Sequence, residues 1–274
     1  MPNDNPEMGE SIQSGDFSTN YHDMGSGEPI LFIHGSGPGV TAWANWRLVL
    51  PALSSRYRVL APDMVGFGYT DRPESISYNM DTWIQHLLDF MDALNLLRVH
   101  LVGNSFGGAL ALAMAIRHPQ RVNRLVLMGA AGVEFDLTEG LDAVWGYTPS
   151  LENMQKMMDL FTYDRSLVNN ELAELRYRAS IQPGFQKAFA AMFPSPRQRW
   201  ITALASSEED IRKIEQETLI IHGREDQVIP LDTSLKLFSW VDNAQLHLFG
   251  KCGHWTQIEQ NQRFCGLLNS FFSE

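Results

Sequence analysis

The sequence predicts an α/β fold: a mostly parallel, doubly wound sheet interrupted by a helical insertion. Three observations carry this. Short apolar runs alternate with helical patterns along most of the 274 residues, the rhythm of parallel strands joined by right-handed crossovers. That rhythm breaks between about Val133 and Ser206, where Met, Trp, Tyr and Phe are plentiful and helical patterns occur without an evident strand. And Leu101 to Ala109 reads as a buried strand turning sharply into a helix through Ser105, within a Gly-x-Ser-x-Gly motif that lifts a serine oxygen clear of the sheet. The expected organisation is a core of residues 1–132 and 207–274, with 133–206 inserted as a helical cap.

Taken in order, residues 1–10 are polar and expected to be ragged, and Ser11 to Met24 suits two strands meeting at Gly15-Asp16. Pro29 to Ile33 is a compact apolar strand ending at His34-Gly-Ser-Gly-Pro-Gly39, a loop with so little side chain that its backbone N–H groups are its chemistry. It is not followed by the Lys or Ser/Thr of a phosphate loop. His34 suits packing as well as catalysis. Tyr57 to Pro62 is the next strand, and Asp63 beyond it reads as structural. Met80, Trp83, Ile84, Leu87, Leu88, Met91 and Leu94 recur at the spacing of an amphipathic helix, with Asn79 as its cap. Val99, Leu101 and Val102 have the continuous apolarity of a strand buried on both faces, and Ala109 to Ile116 that of a helix covered all round. Arg124 to Gly129 gives another strand.

Within the insertion, Val168 to Ala179 presents Val168, Leu172, Leu175 and Ala179 on one face, and Arg176 falls among them, with Glu171, Glu174 and Arg178 opposite. An inward cation is costly unless it snorkels out or meets an anion, and either a structural carboxylate or a substrate carboxylate would serve. The core resumes with Thr218 to Ile221, ending at His222-Gly-Arg-Glu-Asp226, then Gln245 to Phe249, ending at Gly250-Lys-Cys-Gly-His-Trp255. A final helix carries Phe264, Leu267, Leu268, Phe271 and Phe272 on one face.

A net charge of -11 with no basic tract argues against a nucleic-acid surface. Cys252 and Cys265 show no metal or redox spacing, as suits two unpaired thiols in a reducing compartment. The N-terminus has neither the charge nor the apolar core of a signal peptide, and no stretch is long enough to span a bilayer, so a cytoplasmic location is expected.

Ser105, Asp226 and His254 each lie just past a strand's carboxyl end, in an order that places all three at one rim of a parallel sheet. A serine hydroxyl becomes a nucleophile at neutral pH when an imidazole takes its proton, and the imidazole needs a carboxylate to fix its tautomer. Glu225 and Asp232 are rivals to Asp226, while His22, His86, His100, His118, His222 and His247 suit surface or core roles.

His34-Gly-Ser-Gly-Pro-Gly39, Trp43-Ala-Asn-Trp-Arg47, Gly103-Asn-Ser-Phe-Gly-Gly108, Tyr163-Asp-Arg-Ser-Leu167 and Cys252-Gly-His-Trp255 together resemble the meta-cleavage product hydrolases, carbon–carbon bond hydrolases of aromatic-ring catabolism. The similarity runs from about Asn20 to the C-terminus. It implies an α/β-hydrolase fold, no metal or organic cofactor, a homo-oligomer and an anionic dienoate substrate. It also implies that the amides of Ser36 and Phe106 form the oxyanion hole. Arg176 and Asn45 would hold the dienoate end, with Asn104 and Trp255 beside the nucleophile and base. His254 would shuttle the proton that converts enol to keto. Ser105 would then either form an acyl-enzyme or activate water. A carboxylesterase uses the same triad, and a binding protein the same fold, whereas dehalogenases and epoxide hydrolases place Asp where this chain has Ser105.

Overall fold

The computed structural model describes residues 5–273. β1 (Glu10–Ser14) and β2 (Phe17–Met24) form an antiparallel hairpin through Gly15-Asp16, as expected. Then come β3 (Pro29–Ile33), α1 (Ala42–Trp46), α2 (Leu50–Leu53), β4 (Arg58–Pro62), α3 (Met80–Ala93), β5 (Val99–Asn104), α4 (Phe106–Arg117) and β6 (Val122–Met128). The next segment holds α5 (Glu139–Trp145), α6 (Leu151–Phe161), α7 (Asn170–Ser180), α8 (Phe185–Met192), α9 (Gln198–Leu204) and α10 (Glu208–Ile211), with no strand among them. β7 (Thr218–Gly223), α11 (Leu231–Trp240), β8 (Ala244–Phe249), α12 (Thr256–Glu259) and α13 (Asn261–Ser273) complete the chain. The strands form one sheet in the order β1-β2-β4-β3-β5-β6-β7-β8, antiparallel at β1-β2 and β2-β4 and parallel elsewhere.

The continuous apolarity of the parallel strands has a direct cause. Leu31, Ile33, Leu101, Leu125, Leu127 and Ile220 enter one core with α3 and α4, while their neighbours Ile30, Phe32, Val102, Val126, Leu219 and Ile221 enter a second with α1, α2 and α13. Both faces are therefore buried, and the period-two alternation sorts residues between two cores rather than between core and water. α3 starts where Asn79 accepts from the Thr82 amide, a cap of about 1 kcal/mol. Its inward stripe is Trp83, Ile84, Leu87, Phe90 and Met91.

Two expectations need correction. Residues 5–10 are held rather than ragged, while residues 1–4 lie outside the described residues. The buried Asn20 carboxamide accepts from Gly9 N at 2.9 Å and donates to Glu7 O at 3.1 Å and Asp63 Oδ2 at 2.8 Å. Asn5 Nδ2 donates to Tyr69 Oη at 2.6 Å. In α7, Leu175 is 57% exposed and so leaves the expected stripe, whereas Leu172, and Val168 just before the helix, pack against the core as expected. The most buried positions are Ala173 and Ser180, beside the Leu172 and Arg176 that line the cavity. The helix backbone passes so close to Gly39 that a Cβ on Gly39 would lie 2.5 Å from Ser180 N. Ser180 Oγ also bonds Tyr147 Oη at 3.1 Å. Among the described residues no helix is long and apolar enough to cross a membrane. Both cysteines are buried and unpaired.

Candidate active site

The site is built at the carboxyl ends of β5, β6, β7 and β8. Between β5 and α4 the chain turns at Ser105, whose φ of 54° and ψ of -115° place a non-glycine residue in strained backbone. The turn holds because Ser105 N donates to Met128 O at 2.9 Å, and Ser105 O accepts from Gly108, Ala109 and Ala131. A Cβ on Gly103 would lie 2.3 Å from Gly107 O, and one on Gly107 2.3 Å from Ile33 O, so the motif's outer glycines are steric necessities.

After β7, Asp226 turns back on itself: Oδ1 accepts from Val228 N at 2.7 Å and Ile229 N at 2.9 Å, leaving Oδ2 to accept from His254 Nδ1 at 2.7 Å. This bond puts the proton on Nδ1 and leaves His254 Nε2 as the basic nitrogen. Burial on its own would raise the pKa of Asp226. His254, the nearby His222 and the Ile229 amide outweigh it, and the net shift is downward, so the carboxylate stays charged. Glu225, its rival, is occupied elsewhere, accepting from Cys252 N at 3.0 Å, and Asp232 pairs with Lys236 at 2.8 Å.

Gly129, one residue past the carbonyl that holds Ser105, packs against both Asp226 and His254: a Cβ there would lie 3.3 Å from Asp226 Oδ2 and from His254 Nδ1. The three residues thus meet at one rim of the sheet. Among the described residues Ser105 Oγ makes no hydrogen bond to His254, the one link of the expected triad that is open. Serine–imidazole contacts commonly tighten only with substrate bound. The backbone amides of Ser36 and Phe106 likewise donate to no protein group among the described residues. Phe106 is the first residue of α4, where the helix dipole favours an anion. His34 packs: Nε2 accepts from Met64 N at 2.9 Å, and burial lowers its pKa to about 4.

A cavity of about 70 Å3 borders this rim, with Ser36, Asn45, Asn104, Arg176, His254 and Trp255 in its wall. Asn45 Oδ1 accepts from Gly35 N at 3.2 Å, while its buried Nδ2 has no partner among the described residues. Asn104 Nδ2 donates to Met128 O at 3.4 Å. Arg176 Nη1 donates to Glu7 Oε1 at 2.5 Å and Nη2 to Gly39 O. The inward arginine has therefore met a carboxylate of its own chain.

Several contributors lie beyond the sequence reading. Met154, Met157, Met158 and Phe161 of α6 roof the cavity, and Phe161 stacks on Trp255 at 4.8 Å and on His254 at 5.8 Å between ring centroids. Gln257 is buried in the wall, and its Oε1 has no partner among the described residues. The Trp145 indole of α5 donates to Ser36 Oγ at 3.0 Å, and Glu259 accepts from Gly253, Tyr163 and Asp164 amides at 2.6, 2.9 and 3.0 Å. His222 Nε2 lies 3.4 Å from Asp226 Oδ2. The abundance of Met and aromatics in the insertion was a signal for Trp145, Met154, Met157, Met158 and Phe161 and for none of the others.

The model of the α/β hydrolase fold family matches residues 28–260. The 2-hydroxy-6-oxo-2,4-heptadienoate hydrolase of Pseudomonas putida is 64% identical over 273 residues, covering 100% of this chain and 99% of the relative. The chain belongs to the meta-cleavage product hydrolases. A 2-hydroxymuconate semialdehyde hydrolase from Pseudomonas sp. strain CF600 is 61% identical, covering 100% of this chain and 96% of the relative. Among solved structures, a meta-cleavage product hydrolase from Pseudomonas fluorescens IP01, a serine-to-alanine mutant complexed with acetates, superposes with a TM-score of 0.98 at 64% identity, covering 98% of this chain and 99% of that one. The α/β-hydrolase fold expected from the sequence is thus the fold of this family member.

Proposed function

We propose that the protein hydrolyses a carbon–carbon bond of 2-hydroxy-6-oxo-2,4-dienoates or 2-hydroxymuconic semialdehyde, giving 2-hydroxypenta-2,4-dienoate and a small carboxylic acid. The observation that carries this reading is the Asp226–His254 pair and a strained Ser105 at one rim, with His254 in the wall of a cavity that also holds two arginines and, among the described residues, no acid. An esterase needs the first feature but not the second.

In this reading the enol substrate docks with its carboxylate toward Arg176 and Asn45 Nδ2, and Asn104 and Trp255 flank the reacting carbons. His254 relays the enol proton to the carbon that will leave, forming the ketone. Ser105 then serves as nucleophile, or as base for water, at the distal carbonyl, whose oxyanion lies between the Ser36 and Phe106 amides. Breaking the carbon–carbon bond expels the dienol carboxylate, and the elements of one water divide between the two products. Trapping an acyl-Ser105 species by rapid quench separates the two routes. Residues 133–206 act as the cap, with α6 closing the cavity and the Glu259 carboxylate tying the loop after it to the His254 loop. No cofactor takes part, and the enzyme works as a cytoplasmic homo-oligomer, the state light scattering would read.

The test is a paired assay: decay of a yellow ring-fission dienoate beside hydrolysis of p-nitrophenyl acetate. The reading requires the dienoate to be preferred in kcat/KM; efficient ester hydrolysis without dienoate decay would assign an esterase.

A further inference from the structure

The held N-terminal segment brings a carboxylate to the cationic wall of the cavity. Arg47, Arg176, Ala44 and Leu172 line both the active-site cavity and a second cleft of about 300 Å3 outside it, so they form the partition between the two. Asn5, Pro6 and Glu7 line the outer cleft. Glu7 and Arg176 pair at 2.5 Å with side chains only 12% and 13% exposed. Glu7 is positioned by the Asn20 carboxamide, which bonds its carbonyl and the amide of Gly9, rather than by chance contact of a loose end.

Arg47 has no carboxylate partner among the described residues: its Nη1 donates to Ala44 O at 2.7 Å. Its ionised form is disfavoured by burial first and by Arg176 next, with Glu7 offsetting in part. Among the described residues the partition therefore holds two guanidinium groups and one carboxylate, a surplus of one positive charge facing a cavity lined by no acid.

We propose that Glu7 is a specificity-determining residue, the resident counter-ion of the substrate-carboxylate subsite, and that Arg47 supplies the subsite's surplus charge. Before substrate binds, Glu7 keeps Arg176 extended across the partition and moderates the repulsion between the two arginines. An arriving carboxylate competes with Glu7 for the same N–H fork and is drawn by Arg47. One surplus charge matches one carboxylate. The identity of that ligand as a dienoate rests on the function proposed above.

The experiment uses hexa-2,4-dienoate, a dienoate carboxylate without a scissile ketone, titrated calorimetrically into the full chain and its Glu7→Gln variant at low salt. The variant is expected to melt at lower temperature, since two guanidinium groups lose their anion, and to bind the probe about threefold to tenfold more tightly. The probe should raise its Tm by more than it raises that of the unaltered protein, and KM for the cleavable dienoate should fall more than kcat changes. Equal or weaker probe binding by a folded Glu7→Gln protein overturns the proposal. Should Glu7→Gln fail to fold, Arg47→Met is read instead: at least threefold weaker probe binding supports the proposal, and unchanged binding overturns it. Glu7-dependent probe binding in a protein that leaves cleavable dienoates intact would remove the proposed reaction while leaving this subsite standing.

Discussion

Ser105 is held in backbone that few non-glycine residues adopt, and Asp226 carries its charge fully buried, so each residue is stable only through its neighbours. Asp226→Asn keeps the shape but offers His254 an amide that favours the wrong tautomer, and kcat should fall by about 10^4-fold. A fall of less than tenfold would remove Asp226 from the triad. Arg176→Ala should cost roughly 1.5 to 3 kcal/mol of charge-assisted binding, about tenfold to a hundredfold in kcat/KM for a carboxylate-bearing dienoate. Unchanged kinetics would leave Arg176 as the partner of Glu7 alone. The rim positions of Ser105, Asp226 and His254 were legible in the sequence because each lies within five residues of the end of an apolar strand. Glu7, Arg47, Gln257 and Glu259 were not, because a single polar residue in a polar stretch has no periodicity and its partner lies far along the chain.

Strands and the helices α3 and α4 were legible for a related reason. Their burial is strong enough to write the period of the element into the residue types, and boundaries moved by at most three residues. α7 shows the limit. Val168, Leu172 and Arg176 point inward as read, but Leu175 faces water and Ala173 and Ser180 are buried, because the helix backbone at Ser180 packs directly on Gly39. Leu175→Ala should therefore change stability by no more than about 0.5 kcal/mol, whereas Ala173→Leu should overpack and lose about 1 to 3 kcal/mol. Denaturant unfolding of the two variants checks the register, and the reverse ranking would restore the sequence reading. The link between α6 and the His254 loop makes a second expectation. Glu259→Ala removes an acceptor shared by three amides, and the segment from Tyr163 to Val168 should become cleavable by protease at concentrations that spare the unaltered protein. Equal resistance would show that the stacking of Phe161 holds this link without the carboxylate.

Stability of the entire chain should fall as pH drops from 6.5 toward 4. Burial lowers the pKa of His34 to about 4 and of His86 to about 3, with His34 also acting on His86. Below the unfolded value near 6.5, the unfolded chain binds protons that the folded chain refuses, and each histidine contributes up to about 1.4 kcal/mol per pH unit. That stability is fully present above pH 6.5 and is lost on acidification. His22, His100, His118, His222 and His247 are shifted in the same direction, each chiefly by burial. Asp63 opposes them: burial pushes it up to about 7 against its three N–H donors, so the folded state retains a proton that the unfolded state releases above about pH 4. One opposing carboxyl against several histidines leaves the slope positive, and a Tm that rises on acidification across this range would contradict the burial pattern.

The reaction is tested by product stoichiometry with 2-hydroxy-6-oxohepta-2,4-dienoate. Each mole of yellow dienoate consumed should yield one mole of acetate and one of 2-hydroxypenta-2,4-dienoate, and the Ser105→Ala variant should form neither at a comparable rate. Undiminished product formation by that variant, or loss of the yellow colour without acetate, would contradict the assignment of Ser105 to carbon–carbon bond hydrolysis.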